Sequence, residues 1–180
     1  MAKTSGGTRN YTSNNTTLSR RIEEFNAILN SGDYDKKRSY LDESGGFVVV
    51  NNNHNNPQEI DMSEIAVKKL AKKGYKIYLE DERSFISGQP TPDGRVYKEV
   101  MDVKTVNVVG KNTIKNQLEN ATKQGASVVI LYQNNEKMTR SYVESQIKLF
   151  NNKSPKKAKD KLKLVIVVGK NGNVHRHKIK

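Results

Sequence analysis

Apolar positions recur along the chain in two periods, and the switches between those periods lay out its elements. Leu18, Ile22, Phe25, Ile28 and Leu29 follow helical spacing until "NSGD" stops the pattern. Residues 1–17, ahead of them, are mostly Gly, Ser, Thr and Asn with little to bury, and read as a flexible tail or linker. A Gly-Gly break leads into "FVVV", a short strand at 47–50, and "NNNHNNPQE" is a polar loop. "DMSEIAVKKLAKKG" predicts a helix with Asp61 as N-cap, Glu64 three residues later and Gly74 closing it. "YKIYL" alternates Tyr75, Ile77 and Leu79 against Lys76 and Tyr78, a strand with one buried face. After the loop "EDERSFISGQPTPDG", the stretches "RVYKEV" and "MDVKTVNVV" read as two strands, or as one long strand with a bend.

The helical period returns at "NTIKNQLENATKQG", with Ile114, Leu118 and Ala121 as the stripe. "ASVVILY" is a buried strand, and "TRSYVESQIKLF" a helix through Val143, Ile147 and Phe150. "NNKSPKKAKDK" reads as a basic linker before a terminal hairpin turned at Asn171-Gly172. The central order is helix, strand, strand, strand, helix, strand. That order predicts an α/β fold with a mixed central β-sheet flanked by helices, an N-terminal helix and a C-terminal β-hairpin. Residues 18–180 form one domain with its core at about 61–135.

Charge adds a constraint. The 180 residues are 34% hydrophobic and 28% charged, and their formal net charge is +13. A cation surplus of this size fits RNA, DNA, an acidic membrane surface or an acidic protein partner, phosphate polymers being the commonest reason. The absence of cysteine excludes disulfides and thiolate chemistry. "MAKTSGGTRNYTSNN" lacks the apolar region of a signal peptide, and no run approaches the ~20 apolar residues of a membrane span.

Candidate chemistry concentrates in "PDGRVYKEVMDVKT", residues 92–105. Residues two apart on a strand share a face, so Asp102 and Lys104 stand side by side, and a hairpin or bend can bring Asp93 alongside. Two converging carboxylates suit Mg²⁺ or Mn²⁺, with Zn²⁺ as a further candidate. A neighbouring lysine can stabilise an attacking hydroxide or the charge of a pentacovalent phosphate. These are the parts for cleaving a phosphodiester with water.

"PD" at 92–93 followed by "DVK" at 102–104 resembles the PD-(D/E)xK nuclease superfamily, whose core has the α-β-β-β-α-β order read above. "SGGFVVVNNNHN", the helix carrying Glu64, "GYKIYL", "PDG…MDVKT" and "NTIKNQL..ATKQG" together look like the C-terminal nuclease domains of contact-dependent inhibition and related polymorphic toxins. Several of those cut tRNA. The likeness covers roughly residues 40–135 and departs at Asp102, where the nearest relatives carry Glu. It implies a metal-dependent endonuclease toxin acting on RNA in the cytoplasm of a bacterial target cell, exported by a carrier and neutralised by an acidic cognate immunity protein. It further implies that Asp93, Asp102 and Glu64 bind the metal, that Lys104 is catalytic, and that Gln124 lies near the scissile phosphate.

Each assignment has a plainer counterpart. Asp61-x-x-Glu64 is also a capping box, which needs no metal. Gln117 and Gln124 lie on or near the apolar stripe of their helix, and a buried amide must find partners or cost about 1–3 kcal/mol; Gln117 reads as structural. His54 can contact nucleic acid or be a solvated loop residue. Lys111, Lys115 and Lys123 can hold the nucleic-acid backbone near the metal. His175 and His177 share a face of the last strand without a third ligand, so an exposed hairpin face is expected. Tyr75, Tyr78, Tyr97 and Tyr132 can stack bases, but strand tyrosines more often sit in the core or at its rim. Two other functions stay open: a DNA endonuclease of the restriction type, or a non-catalytic basic nucleic-acid-binding or phage protein.

Overall fold

The computed structural model describes residues 9–54, 62–81 and 91–179, with side chains of the first stretch from Thr17 onward. In chain order the elements are α1 (Arg9–Asn30), β1 (Tyr40–Leu41), β2 (Phe47–Val50), α2 (Met62–Ala71), β3 (Lys76–Leu79), β4 (Gly94–Val96) and β5 (Glu99–Val106). They continue with α3 (Thr113–Lys123), β6 (Val128–Gln133), α4 (Arg140–Lys153), α5 (Lys156–Lys161), β7 (Leu164–Val168) and β8 (Val174–Lys178). The strands form an eight-stranded sheet in which spatial order equals chain order. β2–β3, β5–β6 and β6–β7 pair parallel, the other neighbours antiparallel. Each parallel pair needs a crossover, and α2, α3 and the α4–α5 pair supply them. This is the mixed α/β sheet with flanking helices that the periodicity predicts, and β4–β5 is the two-strand alternative.

Two expectations differ. Helix α1 begins at Arg9, so residues 9–17 extend the predicted helix instead of forming a tail. Adding residues to a formed helix costs propagation only, with no second nucleation. The predicted basic linker contains α5, entered through Pro155 and anchored by the buried Leu162. The expected N-cap Asp61 lies outside the described residues.

Side-chain alternation along the strands separates two faces. Val48, Val50, Ile77, Leu79, Met101 and Val103 pack with Ala66, Val67 and Leu70 of α2 on one. On the other, Val129, Leu131, Val165 and Val167 pack with Ile114 and Leu118 of α3 and with Val143 and Phe150 of α4. Phe25 of α1 covers Phe47 and Val49 at the β2 end of that same face. Between the part under α1 and the part under α3 runs a polar stripe comprising Tyr78 and Arg95, which are register partners, with Asp102 and Lys104. The functional site grows from that stripe.

Helix α3 is held by packing more than by capping. Asn112 makes no side-chain cap bond, whereas fully burying Ile114 and Leu118 contributes about 1.5–3 kcal/mol each. Its first turn is tied instead by the buried Gln146 of α4, which accepts from the Lys115 N–H at 3.3 Å and donates to the Lys111 carbonyl at 2.8 Å. Locking α3 at that end fixes where its C-terminal residue Gln124 points.

Candidate active site

The β4–β5 hairpin brings the two aspartates together. Gly94 faces Met101, and one more step of that register sets Asp93 beside Asp102. Asp93 is fixed from both sides: its carbonyl accepts from the Glu80 N–H at 3.0 Å, and its Oδ2 accepts from the Val103 N–H at 2.7 Å. Gly94 is required here, because a Cβ at that position would fall 1.9 Å from the Tyr78 carbonyl oxygen. The glycine therefore lets β3 and β4 approach closely enough to seat Asp93.

Asp102 is fully buried. Lys104 Nζ lies 2.6 Å from its Oδ2 and forms an ion pair with it. Burial pushes the Asp102 carboxyl above its ordinary range, and Lys104, Asp93 and the Val103 N–H only partly oppose that push. The Lys104 ammonium also donates to Gln124 Oε1 at 2.9 Å, while Gln124 Nε2 donates to the Thr91 carbonyl at 3.1 Å. Gln124, the C-cap of α3, thus links the lysine to the backbone just ahead of Asp93. An adjoining pocket of about 440 Å³ is lined by Lys104, Gln117, Asn120, Lys123 and Gln124.

Asp93 and the buried Asp102 therefore lie against each other, with the Lys104 ammonium 2.6 Å from Asp102 Oδ2. Carboxylate oxygens so placed fit a hard divalent cation, which takes oxygen ligands and offsets adjacent negative charge.

Glu64 is not gathered into this group. Its Oε1 accepts from Arg38 Nε at 2.7 Å and also pairs with Arg38 Nη2, and Lys68 Nζ stands 3.5 Å from Oε2. Among the described residues, no three His, Asp or Glu side chains come close enough to hold a metal ion. The residue expected as a third acidic ligand is engaged here in an ion pair with Arg38. The short α2 turn places Glu64 opposite Arg38, whose guanidinium also donates to the His54 carbonyl at 2.7 Å.

His54 itself is fully buried, with Nδ1 2.9 Å from the Glu80 carbonyl. Neither the solvated loop residue nor the nucleic-acid contact expected of it matches that position. Lys123 lies one residue from Gln124, Lys115 pairs with Glu119 at 2.8 Å, and Lys111 precedes the far end of α3. A twelve-residue helical rise separates Lys111 from Lys123 by about 18 Å, so Lys111 cannot serve the same phosphate. Gln117 donates to the Thr105 carbonyl at 3.3 Å, in keeping with a structural amide.

Tyr132 is buried in the core, Tyr78 donates to Glu24 at 3.1 Å and stacks under Arg95, and Tyr75 meets Tyr97 at the rim. His175 and His177 line a separate pocket of about 220 Å³ near Arg140. Arg38 and Arg95 are polar partners that the sequence reading missed. Arg95 was accessible in principle, standing two residues from Asp93 on one strand, whereas Arg38 lies in an irregular segment with no periodicity to mark it.

Residues 90–174, just under half of the chain, match the family described as the contact-dependent growth inhibition CdiA C-terminal domain. The matched stretch contains Asp93, Asp102, Lys104 and Gln124 and leaves out Glu64. Among solved structures, the CdiA-CT/CdiI toxin and immunity complex from Burkholderia pseudomallei is similar in fold. Its TM-score is 0.52 at 21% identity, with 73% of this chain and 98% of that chain covered. A search of curated proteins finds no match.

Proposed function

We propose that this chain is a contact-dependent growth inhibition toxin domain that hydrolyses phosphodiester bonds in RNA, tRNA foremost, with a divalent metal. The observation that carries this reading is the convergence of Asp93, just ahead of β4, with Asp102 and Lys104 of β5 and with Gln124 from the end of α3. The family matched by residues 90–174 and the +13 net charge support it from two other directions.

Asp93 and Asp102 would hold Mg²⁺ or Mn²⁺. When bound, such an ion supplies Lewis acidity toward a phosphoryl oxygen and lowers the pKa of water. Lys104 lies where it can donate to the attacking oxygen or to the phosphoryl oxygens on which charge builds. Gln124 fixes the lysine by accepting one of its three N–H groups and Asp102 faces a second, which leaves the third for substrate. Glu64 has no ligand role in this scheme because its carboxylate is taken by Arg38 and Lys68.

The similar Burkholderia protein is a toxin with an immunity protein. By the same logic this chain is delivered into target cells by a carrier, and an acidic immunity protein complements its charge in the producer. Among the described residues no helix is long and apolar enough to cross a membrane.

The test is incubation of purified chain with total RNA and with plasmid DNA, in Mg²⁺, in Mn²⁺ or in EDTA. RNA cleavage that stops in EDTA and in Lys104→Ala is the expected result. Cleavage unchanged by either condition overturns the mechanism, and cleavage of plasmid alone overturns the substrate.

A further inference from the structure

A second cavity, of about 590 Å³, lies between α3, the end of α4 and α5. Lys115, Lys123, Lys153, Lys157 and Lys161 line it, with Glu119 as the acidic lining residue, already paired to Lys115 at 2.8 Å. Lys123, Lys153, Lys157 and Lys161 make no ion pair with any described residue. We infer that this cleft is where the phosphodiester backbone of the substrate strand docks beyond the cutting site. The inference rests on the nuclease reading and names how that site takes hold of its polymer.

Continuity with the aspartate pair argues for a nucleic acid over any other anion. Lys123 lines both this cleft and the pocket that contains Lys104 and Gln124. The Lys161 ammonium lies 3.9 Å from where a Cβ on Gly125 would stand, next in sequence to Gln124. A strand leaving Lys104 therefore meets Lys123 and Lys161 before it reaches Lys153 and Lys157. Concave surfaces lined by one sign of charge focus their field and raise the local concentration of the opposite ion. Burial pushes the Glu119 carboxyl up, yet Lys115 foremost, then Ser154 and Lys123, outweigh it and leave the group below its ordinary value.

A purely structural role would have these lysines offset helix dipoles, at about 0.3–1 kcal/mol each. Lys123, Lys153 and Lys161 do sit in last turns. Lys157 does not, and four unpaired cations around one concavity repel each other, which dipole compensation alone leaves unexplained.

The experiment measures binding of labelled total tRNA to the full chain in EDTA, across a salt series. Wild type is compared with Lys153→Gln/Lys157→Gln/Lys161→Gln. The expected change is a fall of about 2–3 in the slope of log K against log salt, with roughly tenfold weaker binding at the low-salt end. With metal restored, cleavage of saturating tRNA keeps its kcat while KM rises. Should the triple variant lose thermal stability, Lys157→Gln alone, in the first turn of α5 where a cation does not favour the helix dipole, is to lower the slope by about 1.

An unchanged slope in the variant, while wild type cleaves RNA, overturns the cleft and leaves the nuclease reading intact. No cleavage by wild type with any metal removes that reading and this inference together. Loss of poly-glutamate binding with tRNA binding retained would assign the cleft to an acidic protein instead.

Discussion

Glu64 and Asp102 are both acids withdrawn from solvent near the same end of the sheet, and their surroundings are opposite. Glu64 receives two N–H groups of Arg38 and has Lys68 nearby, so its charge is met. Asp102 is more deeply buried, has another carboxyl against it, and shares its one ammonium with Gln124. A carboxylate whose partners are complete holds elements together: here it ties α2 to the segment before β1 and, through Arg38, to the His54 backbone. A carboxylate whose partners are incomplete lowers stability, and persists where chemistry uses the missing charge.

The comparison breaks most visibly in turnover. Lys104→Ala or Asp102→Asn is expected to lower RNA cleavage by about 10²–10³-fold, the scale for removing one preorganised charge-stabilising group. Glu64→Gln should leave kcat of the folded protein within a few-fold. A loss at Glu64→Gln beyond the unfolded fraction would return that residue to the site.

Stability should order the two residues the other way. Removing one partner of the Arg38–Glu64 pair, partly screened at its solvent edge, costs about 2 kcal/mol in urea unfolding. Asp102→Asn should raise the thermal midpoint at neutral pH. Its folded value lies above the unfolded 3.8, so the native chain binds more protons within that interval and loses stability as pH rises through it. The cost is complete above the folded value. The gain from Asp102→Asn is therefore largest at neutral pH and vanishes below pH 3.8. Protons compete with metal for the same carboxyl, so metal affinity, read by titration calorimetry, should climb through the same interval.

Gln124→Ala comes next, at about tenfold in cleavage, or roughly 1.4 kcal/mol of transition-state stabilisation. It leaves both carboxylates in place and frees the lysine. Smallest is Lys111→Ala, expected to change tRNA affinity less than about twofold while Lys123→Ala reduces the salt slope by about 1. Equal effects from the two lysines would contradict the placement along α3.

The parts of the site that obey a period were readable in the letters alone. Asp102 and Lys104 share a face because strands repeat every two residues, and the register of the hairpin then supplies Asp93. Gln124 followed from its place at the end of an apolar helical stripe together with the family likeness. The rest depended on contacts without periodicity. Arg38 reaches Glu64 from an irregular stretch 26 residues earlier, and no local pattern marks such a pairing. His54 looks solvated in an Asn-rich run, yet its ring is buried against the Glu80 carbonyl. Helix α5 was hidden because a lysine run has no stripe beyond Ala158, while its fully packed anchor, Leu162, lies beyond its end.

Spatial order in the sheet follows chain order from β1 to β8. With this winding, each arriving strand adds to the exposed margin of what has already assembled, whichever end leads, and none has to be inserted between two that are already joined. Folding from either end thus avoids the wait for distant segments that slows sheets of interleaved order and prolongs their exposure to aggregation.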